Sequence, residues 1–183
     1  MGFYYKKGLR GNASPVLKSV IIDNSDDIAI GDMVKVYNAG NAEKATAGVA
    51  IFGVVHSIVD KYGLGIKPEL TTKATTGTAT VASGRTGAVT VASNNETVDK
   101  IAVMVDCSPF TIYSGDVTGT INTTNTSAKQ GAYIDIADEA NINETTAIRS
   151  GVAQLYGWGT DPDDSGNLLV SICESELVNP IFS

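Results

Sequence analysis

One histidine, two cysteines and one Asp-rich loop are the residues of this 183-residue chain whose types could do chemistry. His56 stands in the strand-like run Val54-Val55-His56-Ser57-Ile58-Val59. Acid–base catalysis on an imidazole needs a nucleophile and an orienting carboxylate within reach. No GxSxG elbow and no cysteine with signature neighbours accompanies it, so a core or strand histidine is expected. Cys107 and Cys173 each end a strand-like run, and no CxxC spacing suggests a zinc site. Two buried free thiols are expected, with a disulfide as the alternative. Gly63-Leu64-Gly65 and Gly157-Trp158-Gly159 lack the further Gly, Lys or helix that a phosphate loop requires. Asp161, Asp163, Ser165 and Gly166 fit the first half of a calcium loop, but the position that should hold a bidentate Glu is Ile172. A turn is the simpler reading there. Asp23, Asp26 and Asp27 read as a second, solvated acidic turn. No catalytic residue, no cofactor and no metal is expected.

The elements around these residues are built from Val, Ile, Thr, Ala and Gly, a composition that favours strands and turns over helices. Apolar residues make up 43% of the chain, enough to fill a core at this length. The net charge of −7 argues against a nucleic-acid partner, because phosphate neutralisation needs clustered Lys and Arg. No apolar run reaches the roughly 18 residues of a membrane span. The N-terminus MGFYYKKGLRG has no apolar leader core, so cytoplasmic synthesis and reduced thiols are expected.

The clearest pattern lies between Ile28 and Val55. Met33–Tyr37 alternates with the period of a half-buried strand, and Val49–Val55 reads as a fully buried one. Asn38-Ala39-Gly40-Asn41 supplies turn residues between them. Val16–Ile22 reads as a further strand. Residues 71–100 are rich in Thr, Ala and Gly, with a hairpin expected around Gly84-Arg85-Thr86-Gly87. Side chains this small bury little surface, so the segment is either a flexible excursion or one pinned by a neighbour. Beyond it, Ile101–Cys107, Thr111–Tyr113, Val117–Ile121, Tyr133–Ile136, Ala153–Trp158 and Leu168–Cys173 read as strands. In the first of these, Ile101, Val103, Val105 and Cys107 share one face. Ala137–Thr146 reads as an acidic connection with room for one helical turn. Pro180 keeps the apolar tail Leu177–Ser183 from pairing as a central strand.

The expected class is all-β with little helix: a small β-barrel or β-tulip-like part over residues 16–70, the excursion over 71–100, and a sandwich- or barrel-like part over 101–183. Residues 1–15 stand apart. They carry Lys6, Lys7 and Arg10, no acid, and the aromatic group Phe3, Tyr4 and Tyr5. The segment is either an arm that orders on a partner surface, with Phe3, Tyr4, Tyr5, Lys6, Lys7 and Arg10 as its contacts, or a loose terminus.

Two regions carry a family resemblance. Gly31-Asp32-Met33-Val34 through Ala45-Thr46-Ala47-Gly48-Val49-Ala50-Ile51-Phe52-Gly53-Val54 resembles the hairpin of tailed-phage capsid decoration, or cement, proteins. The "VDxSP…Y…DVTGT" segment at Val105–Thr120, the "YIDIAD" strand at Tyr133–Asp138 and the "GWxxDPDDSGNLLV" hairpin at Gly157–Val170 resemble the outer domain of related phage head proteins. The resemblance implies a non-enzymatic protein on the outer surface of the virion. Its partner would be the major capsid protein, clamped at subunit junctions by a homotrimer, with no nucleic-acid or membrane contact. A head-fibre base or tail-associated β-module is the nearest alternative. A secreted carbohydrate-binding domain is more distant.

Overall fold

The computed structural model describes residues 3–8, 15–22, 26–36, 40–59, 64–65, 71–75, 78–81, 88–90, 101–108, 111–117, 131–147, 153–158 and 167–172. Among them are fourteen strands and no helix. In chain order they are β1 (Tyr4–Gly8), β2 (Leu17–Ile21), β3 (Met33–Val36), β4 (Ala42–Lys44), β5 (Gly53–Val59), β6 (Thr71–Thr75) and β7 (Thr78–Val81). The second half adds β8 (Ala88–Thr90), β9 (Ala102–Asp106), β10 (Thr111–Val117), β11 (Tyr133–Asp138), β12 (Asn141–Ala147), β13 (Ala153–Trp158) and β14 (Asn167–Ile172).

The all-β class expected from the composition is what the chain adopts. Its first body is a five-stranded sheet in the order β2-β9-β5-β3-β4. A parallel bridge between Ile22 and Ala42 joins the two ends, so the sheet closes into a small barrel. Closure removes most of the exposed edge that a five-stranded sheet would present. Val20, Ile22, Ile28, Val34, Val55, Ile58, Ile101, Val103 and Val105 fill it. These are mostly β-branched side chains, stiff at χ1 and suited to a pleated wall.

The second body closes as well. Pairings run β10 to β12, β12 to β11, β11 to β13, β13 to β14 and β14 back to β10, a ring of five strands. β1 joins this ring antiparallel to β10, with Tyr4 opposite Ser114 and Gly8 opposite Thr111. It occupies the stretch of β10 before Asp116 and Val117, where β12 takes over the pairing. A third, separate sheet runs β6-β7-β8, with Ala74 opposite Ala79 and Ala79 opposite Val89. It is inserted between β5 and β9, two adjacent strands of the first barrel.

Tertiary pairing rearranges several elements expected from local pattern. The strand Val49–Val55 begins only at Gly53. The hairpin partner of β3 is instead β4, with Lys35 opposite Glu43 and their side chains 3.5 Å apart. Gly48 takes a positive φ of 74° in the connection, which ends one strand before the next begins. The supposed break inside β10 is absent, because that strand runs unbroken through Ser114 and Gly115. Ala137–Thr146 holds no helical turn. Asp138 bonds the Ala140 N–H at 2.9 Å, the chain reverses, and β12 follows with Ile142 fully buried. The expected hairpin between β7 and β8 forms, with β6 added to it.

The part boundaries also shift. β9 lies beyond residue 100, yet it is the central strand between β2 and β5 of the first barrel. Both of its faces are largely covered: Val103 and Val105 are buried on one, Ala102 and Asp106 on the other, with Met104 partly exposed between them. β1 lies within the first 15 residues, yet it belongs to the second barrel. The two barrels therefore exchange segments along the chain.

Candidate functional site

The joint between the barrels is where the resembling motifs meet. Gly31 and Asp32 turn the chain into β3. Gly31 has a φ of 92°, which a side chain would resist. Its N–H donates to Val55 O at 2.8 Å, and its carbonyl accepts the Phe3 N–H at 2.6 Å. Asp32 is buried and accepts the Ala29 N–H on Oδ2 at 2.8 Å. The Met33 N–H crosses to Glu139 O in the β11–β12 turn at 2.7 Å. Met33, Ala45, Ile51 and Val54 pack into the same apolar cluster as Tyr113, Ile134, Ile136, Leu155, Leu168 and Val170. The outer wall of the first barrel thus serves as part of the second barrel's core.

Two polar links reinforce this joint. Asp135, buried, accepts N–H groups from Gly48 at 3.2 Å and from its own neighbour Ile136 at 2.8 Å. Lys44 Nζ lies 2.7 Å from Glu139 Oε1, and the Lys44 N–H donates to Asp26 at 2.8 Å. The hydrogen bond that Lys44 donates to Glu139 pushes the ammonium's pKa above its ordinary value, against the opposing effect of burial. These groups line a polar groove of about 400 Å³ with Lys35, Glu43 and Asp138. Asp26 is thus half-buried and bonded, whereas the sequence suggested a solvated turn.

A separate cavity of about 220 Å³ is lined by Phe3, Tyr5, Ile30, Val54, Val55, His56, Asp106 and Tyr113. The only histidine and a buried carboxylate, Asp106, thus line one cavity. The carboxylate is already committed to structure: Asp106 accepts the Ser108 N–H at 3.0 Å and the Thr111 hydroxyl at 3.0 Å. The Tyr113 hydroxyl donates to the Asp106 carbonyl at 3.4 Å. Burial first, and the Asp106 charge second, push the Tyr113 phenol's pKa far up. The wall is mostly apolar. His56 itself is exposed on β5, a strand histidine rather than a core one.

The residues expected to form a contact arm are divided. Phe3 is 2% exposed and sits in the core of the second barrel. Tyr5 is 42% exposed at the cavity's lip. Tyr4, Lys6 and Lys7 occupy β1, and Arg10 lies outside the described residues. Residues 3–8 are therefore integrated into the chain's own fold, because Phe3 has a core site and β1 has a ladder to join. Cys107 is a buried free thiol that donates to Val16 O at 3.1 Å, and burial raises its pKa. Cys173, residues 159–166 of the Asp-rich loop and the tail 177–183 lie outside the described residues. Among the described residues, no group of three His, Cys, Asp or Glu side chains could hold a metal ion.

No local signal marks the Lys44–Glu139 pair or Asp135 and Gly48, since each pair is separated by more than eighty residues. Comparison with family models, curated proteins and solved structures returned no match to this chain.

Proposed function

We propose that this chain is a non-enzymatic structural protein that decorates an assembled icosahedral phage capsid and clamps neighbouring major capsid protein subunits. The observation that carries the reading is the use made of the resembling hairpin. Gly31, Met33, Ile51 and Val54 lock two closed barrels through one apolar cluster and crossing hydrogen bonds, and Asp32 fastens the turn that leads into them. A clamp on a pressurised shell needs a body that transmits load without bending, and closed, close-packed barrels have that property. Binding only the assembled shell stabilises that state by mass action. The clamp acts as a trimer, since three weak contacts at one lattice point reinforce one another through effective concentration.

The test is to add the purified protein to undecorated expanded heads and measure their thermal rupture. Saturable binding and a higher rupture temperature are expected. Absence of both would overturn the decoration reading. The inserted β6-β7-β8 sheet, separate from both barrels, would then favour a head-fibre base or a tail-associated module.

A further inference from the structure

Among the described residues, β2 forms a ladder with β9 alone. The Cys107 N–H donates to Val16 O at 3.0 Å, and the Ile22 N–H donates to Ile101 O at 3.3 Å. Between these pairs Lys18 stands opposite Val105 and Val20 opposite Val103. Bonding residues alternate along an antiparallel ladder, so Val16, Lys18, Val20 and Ile22 direct their backbone groups toward β9. Leu17 and Ser19 direct theirs the other way. The bridge that closes the barrel lies at Ile22 and Ala42 and is parallel, so β4 runs onward from Ile22 and away from Leu17. Among the described residues, no strand pairs with Leu17 or Ser19 on that outer side. Exposure agrees: Val16 to Ser19 are four consecutive exposed residues, with Val16 at 54% and Leu17 at 38%. Four exposed residues in succession show that neither face of β2 is covered along this stretch, which leaves it accessible to a partner.

We propose that this edge binds an extended segment of a partner protein as an added strand, one that sets a carboxylate opposite Lys18 between apolar residues. Backbone groups at Leu17 and Ser19 supply the ladder, and Val16 and Leu17 supply apolar surface, the usual division in strand addition. Lys18 sets the charge. It also excludes a second copy as occupant. Any antiparallel register that matches Leu17 or Ser19 with its counterparts brings the two Lys18 side chains opposite or diagonal to one another, and such like-charge pairs are unfavourable. This surface belongs to the strand itself and does not depend on the capsid reading.

The probe is a short peptide of alternating Thr and Val with Glu at its centre, compared with the same peptide carrying Lys there. Amide exchange of the full chain is followed by NMR. The Glu peptide is expected to protect the Leu17 and Ser19 amides and to bind about tenfold more tightly than the Lys peptide. Lys18→Glu should reverse that preference while leaving exchange in β9 unchanged. Ser19→Pro should abolish binding yet keep the β2–β9 ladder, because the Ser19 N–H faces outward. If Ser19→Pro does not fold, the charge reversal at Lys18 still decides. Three outcomes overturn the proposal: no protection by either peptide, equal binding of both before and after Lys18→Glu, or protection of Leu17 and Ser19 by dimerisation without peptide.

Discussion

A Cβ built on Gly115 would lie 2.7 Å from Cδ1 of Phe3, so the Phe3 ring rests directly on the backbone of β10. The same imaginary atom would lie 2.7 Å from Cδ1 of Ile142. Glycine at 115 is what lets an N-terminal aromatic reach the centre of a barrel built from the other end of the chain.

Phe3→Ala should therefore destabilise the protein by about 3–5 kcal/mol, the range for a buried aromatic truncated in a packed core. Urea denaturation followed by fluorescence measures it. A loss below about 1 kcal/mol would mean that the N-terminal segment behaves as a detachable arm.

Gly53 allows a second close approach. A Cβ there would overlap the carbonyl oxygen of Asp106 and lie 2.6 Å from Cγ1 of Val105. Backbone cannot move aside as a flexible side chain can, so Gly53→Ala should cost more than about 3 kcal/mol. Gly40→Ala is the contrast. No atom lies within 4 Å of its Cβ position, and its only cost is the positive φ of 80°, about 1–2 kcal/mol. The order of the two unfolding midpoints checks the difference.

Alkaline pH should weaken the fold in stages. Cys107, Tyr113 and Lys44 all have pKa values raised above their ordinary 9.0, 10.0 and 10.5. A raised folded pKa means that the folded chain holds its proton longer than the unfolded chain. The contribution of each group is complete below its ordinary pKa and is lost as pH rises toward the folded value. Unfolding midpoints should thus be flat up to about pH 8 and fall steadily toward about pH 11. Tyr113→Phe removes the phenol and should flatten the upper part of that fall. An identical slope in the variant would show that Tyr113 ionises freely in the folded state.

Sequence alone determined the class of this protein and most of its strands, because period-two alternation and β-branched runs such as Leu17–Ile21, Ala102–Asp106 and Tyr133–Asp138 are local signals. The Gly31-Asp32 turn is equally local: a positive φ and a short capping carboxylate act within a few residues. Strand partnership is not. β9 could go to either barrel on its own hydrophobicity, and only the ladders to β2 and β5 assign it to the first. Phe3 read as part of a partner-contacting arm or a loose terminus, since nothing nearby reveals that Gly115 leaves room for it more than a hundred residues away. The polar joint was hidden for the same cause: Lys44 meets Glu139, and Gly48 meets Asp135, only after both barrels close. The open edge at Leu17 and Ser19 is likewise a property of closure, because a strand's free side is defined by where its neighbours stop. Local propensity writes the strands, and long-range hydrogen bonding and packing decide which of them meet.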